Sequence, residues 1–232
     1  MYGIYYSANG AATAIINYLC LKVFGYSGGG SHGLFMAVLL MACFTCVSAI
    51  ALMFFLKGFE KSETKEEDKF KFADLSLVVK NPSVWMVSII FFCIYAVYTC
   101  SSYYTPYLTW LGMSADTSAE LSILRINMAM MIASPIGGYL ADKVFKSTLK
   151  WIMYGSVLLA VSIVATVMVG GDKLRLTSII SIIPGWLVMS MYGIMFSSFK
   201  EINVPVKVSG TAIGFASIIS YSPDLFMNTV YG

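Results

Sequence analysis

Residues 34–56 run for 23 positions without one charged side chain. A helix over that stretch is about 35 Å long at 1.5 Å per residue. That length matches the hydrocarbon thickness of a bilayer, about 30 Å. Apolar runs of comparable length recur at about residues 3–24, 82–104, 119–140, 151–169, 176–198 and from 208 to the end. Seven such runs leave little chain over. Charged residues make up only 12% of the sequence and hydrophobic ones 58%, against roughly 25% charged in an ordinary soluble domain. A water-soluble surface cannot be covered with so few charges, and a disordered chain would be far more polar. The expectation is an all-α integral membrane protein with about seven transmembrane helices. A formal charge of +3 is too small to point to a nucleic-acid partner.

One long polar stretch interrupts the pattern. Between Lys57 and Asn81 stand six lysines (Lys57, Lys61, Lys65, Lys69, Lys71, Lys80) and six acids (Glu60, Glu63, Glu66, Glu67, Asp68, Asp74). It reads as a solvated linker, at residues 58–81, between a helix pair at residues 1–57 and a bundle at residues 82–232. Its last part, residues 72–79, has apolar residues at helical spacing and suits the membrane surface. Placing the linker in the cytoplasm puts eleven lysines on that side, with Lys143, Lys146, Lys150, Lys200 and Lys207 among them, against Lys22, Lys173 and Arg175 on the other. The positive-inside rule then makes the linker and residues 142–150 cytoplasmic in a multi-pass cell-membrane protein. All five cysteines lie in apolar runs and read as buried free thiols. Cys43 and Cys46 form a C-x-x-C, but no histidine is near, and His32 is the single histidine of the chain. No metal site and no cofactor are expected.

Between the fourth and fifth runs the chain reads Gly138-Tyr-Leu-Ala-Asp142-Lys143-Val-Phe-Lys146-Ser. Gly137, just before this segment, and Gly138 allow close helix packing, and an aspartate is favourable beside a neighbouring helix N-terminus. The segment resembles the G-x-L-A-D-[RK]-x-G-[RK] loop of the major facilitator superfamily of secondary transporters, with Phe145 where that motif prefers glycine. Two further stretches are similar to the family: Lys80-Asn-Pro82-Ser-Val-Trp85 resembles the entry to helix 7, and Val208-Ser-Gly210-Thr-Ala-Ile-Gly214 the entry to helix 11. On this register the runs are helices 5 to 11 of a twelve-helix carrier, a partial transporter fold. The resemblance implies that Gly138, Asp142, Lys143 and Lys146 form a conformational latch. It also implies that the chain is a fragment whose first four helices and last helix lie outside it.

A polar side chain inside a span is costly and therefore a functional candidate. Arg125 is the foremost, about 9 Å into its span at 1.5 Å per residue, with Glu120 five residues back on another face. A guanidinium there suits a carboxylate or phosphate. Tyr95 and Tyr98 lie deep in the third run and offer hydroxyls and ring faces, whereas Tyr103, Tyr104, Tyr107 and Trp110 read as an interfacial belt. Asn9 is a further binding candidate. Asp224 is the candidate coupling carboxylate. A pairing of Arg125 with Asp224 is open, and Gly210 with Gly214 reads as a helix-packing G-x-x-x-G.

The family resemblance implies a symporter or permease: alternating-access transport of a small solute. Arg125 makes that solute an organic anion such as a sugar acid or sugar phosphate, driven by H+ or Na+. The partners are the bilayer, the solute, the coupling ion and the helices outside this chain. The motifs of membrane metalloproteases and serine hydrolases are absent, so no enzyme is expected. Two alternatives stay open: a non-transporting truncated fragment, and a seven-helix receptor or sensor.

Overall fold

The computed structural model describes residues 2–56, 72–171, 173–202 and 204–231, and these are helices and their connections, without a strand among them. Packing divides the chain into two units, Ala12–Lys69 and Met1–Ala11 with Phe70–Gly232. The linker expected at residues 58–81 falls largely outside the described residues, which resume at α3.

The smaller unit holds most of α1 (Tyr2–Tyr26) and all of α2 (Gly30–Leu56). The connection is made by Gly28, Gly29 and Gly30, whose φ angles of 79°, 68° and 60° place them in the left-handed region that glycine reaches without steric cost. Gly33 sits so close to Phe24 that a Cβ would lie 2.8 Å from its carbonyl oxygen. Apart from such contacts α2 presents apolar side chains all round: Val47, Met53 and Phe54 are 64%, 71% and 72% exposed. In water that surface would be untenable; in lipid it is the expected surface of a spanning helix.

In the larger unit the sequence runs are visible with their interruptions. α3 (Phe72–Val79) leads to α4 (Pro82–Cys100), where Pro82 takes a first-turn position and the Asn81 side chain accepts from the Ser83 amide at 3.0 Å. Pro106 in this span can kink or end a helix. The span instead continues as α5 (Tyr104–Trp110) through a 3-10 turn at Ser101–Tyr103. The tightened turn lies just where the missing proline N–H leaves the ladder short.

The next span is α6 (Ala115–Ser122), a π-helical turn (Ile123–Met128), α7 (Ala129–Tyr139) and a second π turn (Leu140–Val144). α8 (Thr148–Val169) is capped by the Ser147 hydroxyl on the Lys150 amide, 3.2 Å. The following span breaks at Ser181 into α9 (Leu174–Ile180) and α10 (Ile182–Tyr192) and ends in a 3-10 turn at Met195–Lys200. The last run is split by a turn at Tyr221 and Ser222 into α11 (Val206–Ser220) and α12 (Pro223–Tyr231). Among the described residues five segments are long and apolar enough to cross a bilayer: Gly30–Phe55, Pro82–Trp110, Ala115–Val144, Thr148–Val169 and Leu174–Lys200.

The core lies where α4, α7 and α10 meet. Phe91, Met189, Met191, Met195 and Phe199 are fully enclosed, and Phe91 sets its edge against Phe196 and Phe199 at 5.5 and 5.8 Å. The α7–α10 crossing is closed by small residues. A Cβ on Gly137 would sit 1.9 Å from the Ser190 carbonyl oxygen, one on Gly193 would meet Ser134 at 2.6 Å, and the Ser134 hydroxyl donates to the Met189 carbonyl at 3.1 Å. This is close membrane packing by small side chains. Gly210 and Gly214 show no such packing among the described residues, where nothing lies within 4 Å of a Cβ built on either. The expectation for the thiols also changes. All five cysteines are free, but only Cys20 is buried, while Cys43, Cys46 and Cys93 are exposed, as apolar thiols on lipid-facing helices can be.

Candidate functional site

The break before α12 brings three of the sequence candidates together. Pro223 lacks an N–H and starts a new helix, so Asp224 falls in the first turn of α12, where the helix dipole favours a carboxylate. The Tyr95 hydroxyl donates to Asp224 Oδ2 at 2.7 Å, and the Thr99 hydroxyl approaches Oδ1 at 3.4 Å. Tyr98 lies one turn from Tyr95 on α4, and their rings are 5.4 Å apart.

Three tyrosines that sequence reasoning passed over complete the cluster. The ring of Tyr192, from α10, stacks on Tyr98 at 5.3 Å and 15°. Tyr221, from the turn before α12, meets Tyr95 edge-on at 4.7 Å, and its hydroxyl is 3.4 Å from that of Tyr192. Tyr6, from the start of α1, packs edge-on against Tyr192 at 5.2 Å. The same start of α1 lies tight on the neighbouring span: the Ser7 hydroxyl donates to the Met131 carbonyl at 2.6 Å, and a Cβ on Gly10 would meet the Met131 nitrogen at 2.4 Å. Asn9, one turn beyond Tyr6, lies on an exposed face of α1. Tyr95 and Tyr192 are buried while Asp224 is exposed, so the cluster is an aromatic floor with a carboxylate at its open edge.

Arg125 stands apart from this cluster. It sits in the π turn Ile123–Met128, a wider winding often found at functional positions. Its side chain is wholly enclosed. Nε donates to the Ser181 carbonyl at 3.0 Å and Nη2 reaches the Ser181 hydroxyl at 3.1 Å. The Tyr104 ring covers the guanidinium at 4.9 Å, and Gly185 leaves room for its stem, since a Cβ there would lie 2.5 Å from Arg125 Cγ. Nη1 has no partner. Asp224 and Arg125 thus have separate neighbours. Tyr104, expected in an interfacial belt, is a lid on the cation instead, whereas Tyr107 and Trp110 stack at 6.4 Å near the end of α5. Beside Tyr104 lies an apolar cavity of about 370 Å³, bounded by Val97, Tyr107, Ile163 and Val188.

At the opposite end of the bundle, the motif loop carries its own arrangement. Asp142, Lys143 and Lys146 are exposed, and a Cβ on Gly138 would meet only Ile194 Cγ2, at an ordinary 3.7 Å. The carboxylate that caps the neighbouring helix belongs to Glu201. It accepts from the Ser147 hydroxyl at 2.6 Å, from the Thr148 amide, and from the Leu149 amide at 3.3 Å. Burial alone would push the Glu201 carboxyl up, but these donors prevail and hold it below its ordinary value. Only the placement of Glu201 next to a helix N-terminus reveals this role, and that placement is long-range.

Among the described residues no group of histidines, cysteines and acids is arranged to hold a metal ion. The family model of the Major Facilitator Superfamily matches residues 1–225. Among curated proteins, the inner membrane protein YihN of Escherichia coli (strain K12) is 23% identical over 239 residues, covering 100% of this chain and 57% of that protein. The inner membrane protein YqcE of the same organism is 26% identical over 176 residues, covering 74% of this chain and 41% of that protein. The chain therefore spans about half the length of the curated relatives it matches, 57% of one and 41% of the other. No solved structure gives a significant match.

Proposed function

The chain belongs to the Major Facilitator Superfamily of membrane transporters, and we propose that it serves secondary active transport of a small solute by alternating access. The observation that carries this reading is the broken last run. It presents Asp224 at a helix N-terminus, bonded to Tyr95 and open to the outside of the cluster. Discontinuous helices are the usual places where carriers hold solutes and coupling ions. Asp224 is the group that takes up and releases the coupling proton, and Tyr95 and Tyr98 offer hydroxyls and ring faces to a hydroxylated solute. Asn9, one turn from Tyr6, supplies a further polar group from α1. A sodium ion in place of the proton is the other coupling the carboxylate supports.

The solute is an organic anion, a sugar acid or sugar phosphate. This part of the reading is supported by Arg125, whose Nη1 is a buried donor without an acceptor among the described residues. Such a donor costs on the order of 1 to 3 kcal/mol, and an anionic oxygen would satisfy it once the Tyr104 ring turns aside. Gly138, Asp142, Lys143 and Lys146 act with Glu201 as a cytoplasmic latch between helix ends.

Uptake into proteoliposomes containing the reconstituted chain tests the proposal. A labelled sugar acid should accumulate when a proton gradient is imposed, and Asp224→Asn should remove that accumulation. Arg125→Lys keeps the charge but loses the planar fork, and uptake of the sugar acid should fall on the order of tenfold, with an uncharged sugar unaffected. Equal handling of charged and uncharged sugars would remove the anion assignment. Accumulation that follows a sodium gradient and ignores pH would replace the proton with sodium.

A further inference from the structure

Among the interactions described for α12, its hold on α4 rests on one polar clasp and one ring pair. The clasp is the Asp224 carboxylate on Tyr95 and Thr99, at 2.7 and 3.4 Å. The ring pair is Phe92 with Phe226, centroids 6.1 Å apart and 24° from parallel. Much of the rest of α12 faces outward: Leu225 is 85% and Val230 66% exposed.

The junction behind it is already uncoupled from the helical ladder. Pro223 has no N–H to give. The bonds across the turn are mostly short-range ones, Ser222 N to Ile219 O at 3.3 Å, Asp224 N to Tyr221 O at 3.2 Å and Leu225 N to Ser222 O at 3.0 Å. Rotating α12 about Tyr221 and Ser222 therefore breaks no continuous run of α-helical bonds. It sacrifices the clasp and the ring pair.

We infer that α12 is a gate hinged at Tyr221 and Ser222 and held against α4 by the Asp224 carboxylate on Tyr95 and Thr99. The inference rests on the reading of Asp224 as the coupling group. An ionised carboxylate accepts hydrogen bonds roughly twice as strong as those of a neutral one, so taking up a proton loosens the clasp and lets α12 leave α4. Among the described residues the titratable side chains nearest Asp224 are phenols: Tyr95 bonds it and Tyr98 lies close to it on α4, with Tyr221 of the hinge and Tyr192 of α10 packed behind them. A solute hydroxyl that competes for the carboxylate acts in the same direction. Coupling and gating then share one side chain.

Spin labels placed at Leu225→Cys and Ile89→Cys, on a background without the native cysteines, report the α4–α12 separation in nanodiscs. Both positions are exposed, Ile89 by 54%. A single short separation is expected at neutral pH, with a shift to a longer and broader distribution in acid. Asp224→Asn should show the longer distribution at neutral pH. Tyr95→Phe keeps the ring packing and removes only the donor, and should do the same. A separation unchanged by acid and by both substitutions overturns the gate. If Asp224→Asn abolishes proton-driven uptake while the separation stays fixed, coupling stands and the gate falls. If the separation shifts but uptake never depends on protons, the gate stands and the coupling role of Asp224 falls.

Discussion

Lys146 has a φ of 52°, the left-handed conformation that side chains with a Cβ avoid. It occupies the position after a helix end where the Ser147 amide bonds back to the Ala141 carbonyl at 2.9 Å, a geometry glycine normally serves. Lys146→Gly should therefore raise stability by about 1 kcal/mol, read as a higher melting temperature in detergent. Beside it, Glu201 makes a prediction of the opposite kind. Its carboxyl is held below the ordinary glutamate value of 4.5, so it is ionised more readily folded than unfolded. Its stabilising contribution is complete above that ordinary value and is lost as pH falls through the lower folded value. Melting temperature should drop in this acid window, and Glu201→Gln should flatten that part of the profile. An unaltered acid profile in the variant would refute the cap. At this scale the chain was readable where a residue's type is out of place: Arg125 and Asp224 stand in apolar runs. It was unreadable where the partner is far away in sequence, as with Glu201 on Ser147 or Tyr104 over Arg125.

Elements show the same division. The apolar runs announce helices because no other structure satisfies backbone polar groups in lipid, and helix starts at Pro82 and Ser147 follow from local capping chemistry. The interruptions were only half legible. Proline marks the neighbourhoods of the breaks at Ser101–Tyr103, Ser181 and Tyr221, yet what two of them serve lies far away in sequence: the Ser181 carbonyl accepts from Arg125, and the α12 start sets Asp224 against Tyr95 of α4. Gly138 of the motif and Gly137 just before it are separated by their neighbours. Gly137 faces the α10 backbone with no room for a methyl group, whereas Gly138 has ordinary space. Gly137→Ala should push α7 from α10 and cost on the order of 1 to 3 kcal/mol. Gly138→Ala should be neutral or slightly stabilising, because alanine is the better helix former. Thermal unfolding of the two variants in parallel checks the pair, and equal losses would mean that the crossing is not set by Gly137.

For the larger unit of the molecule, contacts sort the helix ends into two groups. Glu201 lies on Ser147 and Thr148, so the residues around 142–150 share an end with those around 200. Gly171 lies against Leu111, where a Cβ would be 3.1 Å from the leucine side chain, so the turns near 111 and 171 share the other end. The first end carries Lys143, Lys146, Lys150 and Lys200; the second carries Lys173 and Arg175, and its acids Asp116 and Glu120 do not count toward orientation. The pairing of ends is a property of the fold, while their assignment to the two sides of the membrane is a proposal that rests on the lysines. A membrane-impermeant maleimide distinguishes them. On a cysteine-free background in right-side-out vesicles, Trp110→Cys, at a site 79% exposed, should label at once. Lys150→Cys should label only after the membrane is permeabilised. The reverse pattern would invert the topology, and with it the direction in which Asp224 and the α12 hinge face during transport, while leaving the packing of the bundle as it is.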